Sequence, residues 1–236
     1  NDRWITPFQA ERLLAGRFRE LHIGPYVLTH LIGVGGMGSV YAALDPATQQ
    51  TVAVKVLSSD FKYDAGMRTR FRLEARVGAS VDHPNLLRTL AHGTTDDVFG
   101  EMDYVVMELF RGIGLHELLS VHGPMSWSMA CDIASQAAAA LQYLHDRGLV
   151  HRDVKPDNLL VDESGRVKLI DYGLALSGDA VRNGIVHEGN EEFTLTMLFG
   201  HDCLGTPDYM PPEQAANSLA ADARSDIYAL GCTLFT

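Results

Sequence analysis

The stretch His151-Arg152-Asp153-Val154-Lys155-Pro156-Asp157-Asn158, continuing at once into Leu159-Leu160-Val161, constrains this chain more than any other. Eight positions hold a carboxylate, a permanently charged guanidinium, an ammonium and an amide able to hold a metal, and an apolar run follows. With 236 residues the chain can bury one large core or two small ones. Hydrophobic content of 46% and charged content of 21% are those of a soluble globular protein. No window of about eighteen apolar residues occurs, so no spanning helix is expected. The formal charge of -11 disfavours nonspecific nucleic-acid binding and favours cationic partners. Cys131, Cys203 and Cys232 are odd in number and lack metal-type spacing, and read as free thiols of a reducing compartment. The first residue is Asn1 and no signal segment follows it, so the chain reads as a piece of a longer one.

Upstream, Trp4, Ile5, Phe8, Leu13, Leu14 and Phe18 recur at roughly helical spacing, with Thr6-Pro7 as a start signal. Val27, Leu28, Leu31 and Ile32 read as a strand leading into Gly33-Val34-Gly35-Gly36-Met37-Gly38-Ser39-Val40-Tyr41. Glycines let a turn approach phosphate oxygens with its backbone N–H groups inward. Dinucleotide-binding folds use the same glycine spacing, but there a helix follows. Here a turn at Asp45-Pro46 and an alternating Thr51-Val52-Ala53-Val54-Lys55-Val56 predict a hairpin instead. Lys55 inside that apolar strand needs either a partner or an edge position from which its stem reaches water. Residues 60 to 81 read as a helix, with Phe71, Leu73, Ala75 and Val77 apolar and Arg70, Arg72, Glu74 and Arg76 interleaved. Tyr104 to Leu109 is expected as a buried strand, and residues 126 to 147 as a core helix capped by Ser126. Arg166 to Ile170 reads as a short strand delivering Asp171-Tyr172-Gly173.

In this order the segments resemble the eukaryotic-like serine/threonine protein kinases of bacteria. The match rests on the glycine loop, the V-A-x-K strand at Val52–Lys55, the H-R-D-x-K-P-x-N loop, and D-Y-G where most of the family has D-F-G; it covers about residues 26 to 236. The resemblance implies an α+β bilobal protein-kinase-like fold. An N-terminal helical extension (1–24) would precede a small mostly-β N-lobe with one key helix (25–108), a hinge (109–114) and a larger mostly-α C-lobe (115–236), incomplete at its end. It implies ATP and Mg2+ as cofactors, and protein substrates with Ser or Thr hydroxyls. Lys55, paired with Glu74, would hold phosphates beneath the loop of Ile32, Gly33, Gly35, Gly36 and Gly38. Val40, Ala53 and Leu160 would sandwich adenine, Met107 would guard the back of its pocket, and Glu108 and Phe110 would offer backbone groups to the base. Asp153 would accept the substrate proton, Lys155 would steady the transferred phosphate with Thr206 nearby, and Asn158 and Asp171 would bind magnesium. Asp226 would hold the catalytic loop through backbone amides. His151 is expected as a buried structural residue, and His145 is given no role.

The resemblance further makes Asp171 to Glu213 an activation segment, with Gly205 to Glu213 seating the substrate residue. Arg152 beside the aspartate matches kinases in which a phosphate steadies that segment, since a guanidinium pairs bidentately with phosphate. A cytoplasmic kinase domain is implied, with no nucleic-acid partner and any membrane anchor outside this chain. The alternative is a catalytically impaired ATP-binding scaffold, argued from the helices that would normally complete the large lobe. Thr194 and Thr196 are the expected self-phosphorylation sites; mass spectrometry of the active enzyme should find at least one modified, and finding neither would reject the assignment.

Overall fold

The computed structural model describes residues 4–97, 100–171, 206–217 and 221–235. Tyr172, Gly173, Thr194, Thr196, Cys203 and Gly205 therefore lie outside the described residues. Two compact units divide the chain, one of Asn1–Ala75 with Thr89–Leu109, the other of Arg76–Arg88 with Phe110–Thr236.

The first unit opens with helix α1 (Pro7–Leu14), started as the sequence suggests: Thr6 Oγ1 accepts from Gln9 N, the Gln9 side chain returns to the Thr6 N–H, and Pro7 takes the first turn. A six-stranded antiparallel sheet follows, built from β1 (His22–Ile23), β2 (Tyr26–Gly35), β3 (Gly38–Leu44), β4 (Thr51–Leu57), β5 (Thr89–Asp97) and β6 (Gly100–Glu108) in the order β1-β2-β3-β4-β6-β5. Because β1 pairs only with Tyr26 and Val27, the outer edge of β2 is open from Leu28 onward. Helix α1 closes it: Gln9 Nε2 donates to the Leu28 carbonyl at 2.8 Å and Thr6 Oγ1 to the Thr29 carbonyl at 2.6 Å. Unpaired strand edges are pairing hazards, so the extension both docks and protects the sheet.

Alternation along β4 sorts its side chains. Val52, Val54 and Val56 enter a core with Ile23, Leu28, Ala43 and Val106, against which Phe8 and Tyr41 also pack. On the other face Leu57 and Val105 meet Phe71 and Ala75 of helix α2 (Ala65–Ser80). That helix starts later than residue 60 because Ser59–Phe61 forms a separate 3-10 turn capped by Ser58, and Asp64 Oδ1 takes the Met67 N–H at 2.9 Å.

In the second unit, strands β7 (Gly112–Gly114), β8 (Leu159–Asp162) and β9 (Val167–Leu169) form a small antiparallel sheet, with helix α3 (Leu115–His122) following β7. Helix α4 (Trp127–His145) buries Ile133, Ala137, Ala140, Leu141 and Leu144 along one stripe, with Ser126 Oγ accepting from Met129 N. Gly148, at φ +69°, ends this helical stretch earlier than 147, and a residue with Cβ would be strained there. From α4, Gln136 grips the β8–β9 hairpin, donating to the Gly165 carbonyl at 2.8 Å and accepting from Val167 N at 2.9 Å. Helices α5 (Pro212–Ala216) and α6 (Ala223–Phe235) follow among the described residues, α6 packing on α4. No helix among the described residues is long and apolar enough to cross a membrane.

Thr6→Ala removes both the cap of α1 and its bond to the β2 edge. It should lower the unfolding free energy by about 1–2 kcal/mol in chemical denaturation. An unchanged midpoint and slope would show that α1 is not held by these bonds.

Candidate active site

The expected residues fall into two groups, each inside one unit. In the first, β2 and β3 join through Gly36-Met37, with Gly35 opposite Gly38. A strand, not a helix, follows the glycines, which removes the dinucleotide-type reading. Gly38 is required by packing, since a Cβ there would lie 1.9 Å from the Val56 carbonyl oxygen. Gly33 and Gly36 are different: a Cβ on either would meet nothing within 4 Å. Nothing among the described residues demands glycine at those two positions, which suits a loop shaped to admit something that is not protein.

Lys55 stands on β4 between β3 and β6, so it is not an edge lysine. Its register neighbours are Val40 and Val105, while Ala53 pairs with Met107. Alternation therefore sets Ala53 and Lys55 on the sheet face that α2 covers. There Lys55 Nζ lies 2.7 Å from Glu74 Oε1, with side-chain exposures of 15% and 9%. At that depth the pair is not a solvated surface contact, and removing either partner would leave a charge largely out of water. The Phe71 ring, 5.9 Å from Nζ, adds a cation–π contact. Ile32 and Glu108 belong to this unit as well, Ile32 half exposed. Phe110 and Leu160 belong to the second.

The second group is organised by Asp226, whose side chain is fully buried. Oδ2 accepts the His151 N–H at 2.9 Å and Oδ1 the Arg152 N–H at 2.7 Å. Gln214 Nε2 holds the Arg152 carbonyl at 2.8 Å from the other side. These bonds keep Arg152 at φ +67°, a left-handed conformation that costs a non-glycine residue about 1–3 kcal/mol. The buried His151 accepts Asp153 N at Nδ1, 3.4 Å, and meets the Ile170 carbonyl from Nε2, 3.1 Å; hydrogen on Nε2 satisfies both.

The loop so fixed presents Asp153 with its carboxylate surrounded by donors. Oδ1 accepts from Thr206 N and Oγ1, both at 3.1 Å, and Oδ2 from Asn158 Nδ2 at 3.0 Å and Lys155 Nζ at 2.9 Å. Lys155 Nζ also reaches Thr206 Oγ1 at 2.6 Å. Asn158 spends its other amide hydrogen on the Asp153 carbonyl at 2.8 Å, so its Oδ1 is the atom left for a cation. Ile170 N bonds the Asn158 carbonyl at 2.9 Å, which sets Asp171, at φ +70°, in the adjoining backbone. An amide oxygen and a carboxylate are hard donors of the kind that Mg2+ takes. Burial pushes the Arg152 guanidinium below its ordinary value, and the Asp226 charge only partly offsets it. Its Nε and Nη1 have no hydrogen-bond partner among the described residues.

His145, given no role on sequence grounds, lies 2.7 Å from Asp226 Oδ2 and is the third polar contact of that carboxylate. No local pattern marks it, since its partner lies 81 residues further along the chain. Gln214 was also missed, because a glutamine serving a distant backbone carbonyl leaves no local pattern.

Residues 26–236, a span that includes both groups, match the family model described as protein kinase domain. The chain belongs to that family. Among its relatives, the serine/threonine-protein kinase PknB of Mycobacterium tuberculosis is 35% identical over 210 residues, covering 89% of this chain and 32% of the relative. PrkC of Bacillus subtilis is 36% identical over 212 residues, with 90% and 30% covered. The chain thus spans about a third of the length of these curated relatives. Among solved structures, the kinase domain of M. tuberculosis PknI aligns with a TM-score of 0.65 at 28% identity, covering 90% of this chain and 71% of that one.

Asp226→Asn removes one of the acceptors that hold the loop. It should cost about 1–3 kcal/mol of stability and accelerate amide hydrogen exchange at His151 and Arg152. Exchange as slow as in the wild type would show that the carboxylate does not carry the loop.

Proposed function

We propose that this chain is a serine/threonine protein kinase domain that transfers the terminal phosphoryl group of ATP to Ser or Thr hydroxyls of protein substrates. The observation that carries the reading is the Asp153 carboxylate, held by Lys155, Asn158 and Thr206. Its orientation is fixed before any substrate arrives, which suits a group that positions a hydroxyl and receives its proton. Lys155, within reach of both Asp153 and Thr206, would neutralise charge on the group in transfer. Lys55, kept in place by Glu74, would hold phosphate oxygens, and the open glycine hairpin would admit them. Adenine would be met by Ile32, Val40, Ala53, Met107 and Leu160 and by backbone groups of Glu108 and Phe110. Asn158 and Asp171 would hold Mg2+. When bound, that ion supplies neutralisation of the phosphate charge.

Two finer points follow from the same residues. Arg152, buried with donors to spare, favours a phosphate on the segment between Asp171 and Glu213, and hence self-phosphorylation. The free, exposed thiol of Cys131 and the requirement for ATP favour a cytoplasmic setting.

Asp153→Asn should lower kcat by about 100- to 10,000-fold while nucleotide affinity, followed by thermal shift with ATP and Mg2+, stays within about threefold. Undiminished turnover would refute the role given to Asp153. NAD, run as a control, should produce no shift.

A further inference from the structure

Among the described residues two carboxylates are buried in the first unit, and one of them, Glu74, belongs to the expected machinery. The other is Asp103. Register places Lys55 opposite Val105 on β6, and alternation then puts Asp103, two residues earlier, on the same face as Lys55 and Leu57, under α2. Its side chain is only 2% exposed, which an ionised carboxylate tolerates only with close partners. It has three: Arg68 Nε at 2.8 Å, Arg72 Nη2 at 2.9 Å and Thr94 Oγ1 at 2.7 Å. Arg68 extends a second arm to Glu101 at 2.6 Å. Burial pushes the Asp103 carboxyl up, yet the donors from Arg68, Thr94 and Arg72 outweigh it and hold the group below its ordinary value.

Arg68 and Arg72 stand one turn apart on α2, and Glu74 belongs to the same helix. At about 100° per residue, Glu74 lies roughly 120° around the helix from Arg68, with the Phe71–Ala75 ridge between them. The apolar ridge packs on Leu57 and Val105 but cannot by itself prevent α2 from rolling. Charged contacts on both flanks can. We infer that Asp103 is a positioning residue: by holding Arg68 and Arg72 it sets the roll of α2 that keeps Glu74 against Lys55. The inference deepens the kinase reading, on which it depends for its activity readout.

The test is a double-mutant cycle of Asp103→Asn with Glu74→Gln, following kcat, KM for ATP and amide exchange across residues 65–80. Asp103→Asn alone should lower kcat by about tenfold with KM changed less than about threefold, and in the Glu74→Gln background it should cost less than about twofold. Exchange across α2 should rise in Asp103→Asn without nucleotide present. Equal cost in both backgrounds, or unchanged exchange and activity, would overturn the inference. If Asp103→Asn does not fold, Arg72→Gln enters the same cycle, since that side chain is 45% exposed and leaves Arg68 on the carboxylate. Should the wild type transfer no phosphate, the kinase reading fails, and the exchange measurement alone decides the role of Asp103.

Discussion

A carboxylate removed from water is costly unless its lone pairs are filled, and the second unit is arranged around meeting that requirement at Asp226. Two of the donors that fill it are consecutive backbone amides, His151 and Arg152. The acceptor therefore dictates the path of the loop as well as tolerating it. Once those amides are fixed, Arg152 is held left-handed and Asp153 emerges toward Lys155, Asn158 and Thr206. The hairpin of β8 and β9, gripped by Gln136, then brings Asp171 beside Asn158 through the bond from Ile170 N. Each step is a consequence of satisfying a buried polar group, not of side-chain preference.

The first unit meets the same requirement differently. Lys55 sits in the middle of a sheet where water cannot reach it easily, and Glu74 from α2 supplies the compensating charge. A helix lying on a sheet is free to roll unless something off its apolar ridge resists. Asp103 with Arg68 and Arg72 provides that resistance on the opposite flank. The N-terminal helix serves the sheet at another edge, where its side chains take up the carbonyls of Leu28 and Thr29.

Much of this was legible in the chain itself. The glycines and Lys55 stand out because each interrupts an apolar strand pattern, while Glu74, Asp153, Asn158, Asp171 and Asp226 were legible through their match to the motifs of the family the chain resembles. Helix α4 and its Ser126 cap were equally plain, since a stripe of small apolar residues has one period. His145, Gln214 and Asp103 were not legible. His145 and Gln214 act on atoms more than sixty residues away, and nothing local to Arg68 and Arg72 names their partner until a strand more than thirty residues on is brought beneath them.

The sequence by itself determined the order of elements, the family and the identity of the charged residues, because periodicity, turn chemistry and motif spacing are local properties. Only the tertiary structure decided which charges are buried, who compensates them, and that an N-terminal helix closes an open strand edge. Those outcomes depend on which surfaces meet once water is excluded, and the cost of an unpaired charge is set there, not along the chain.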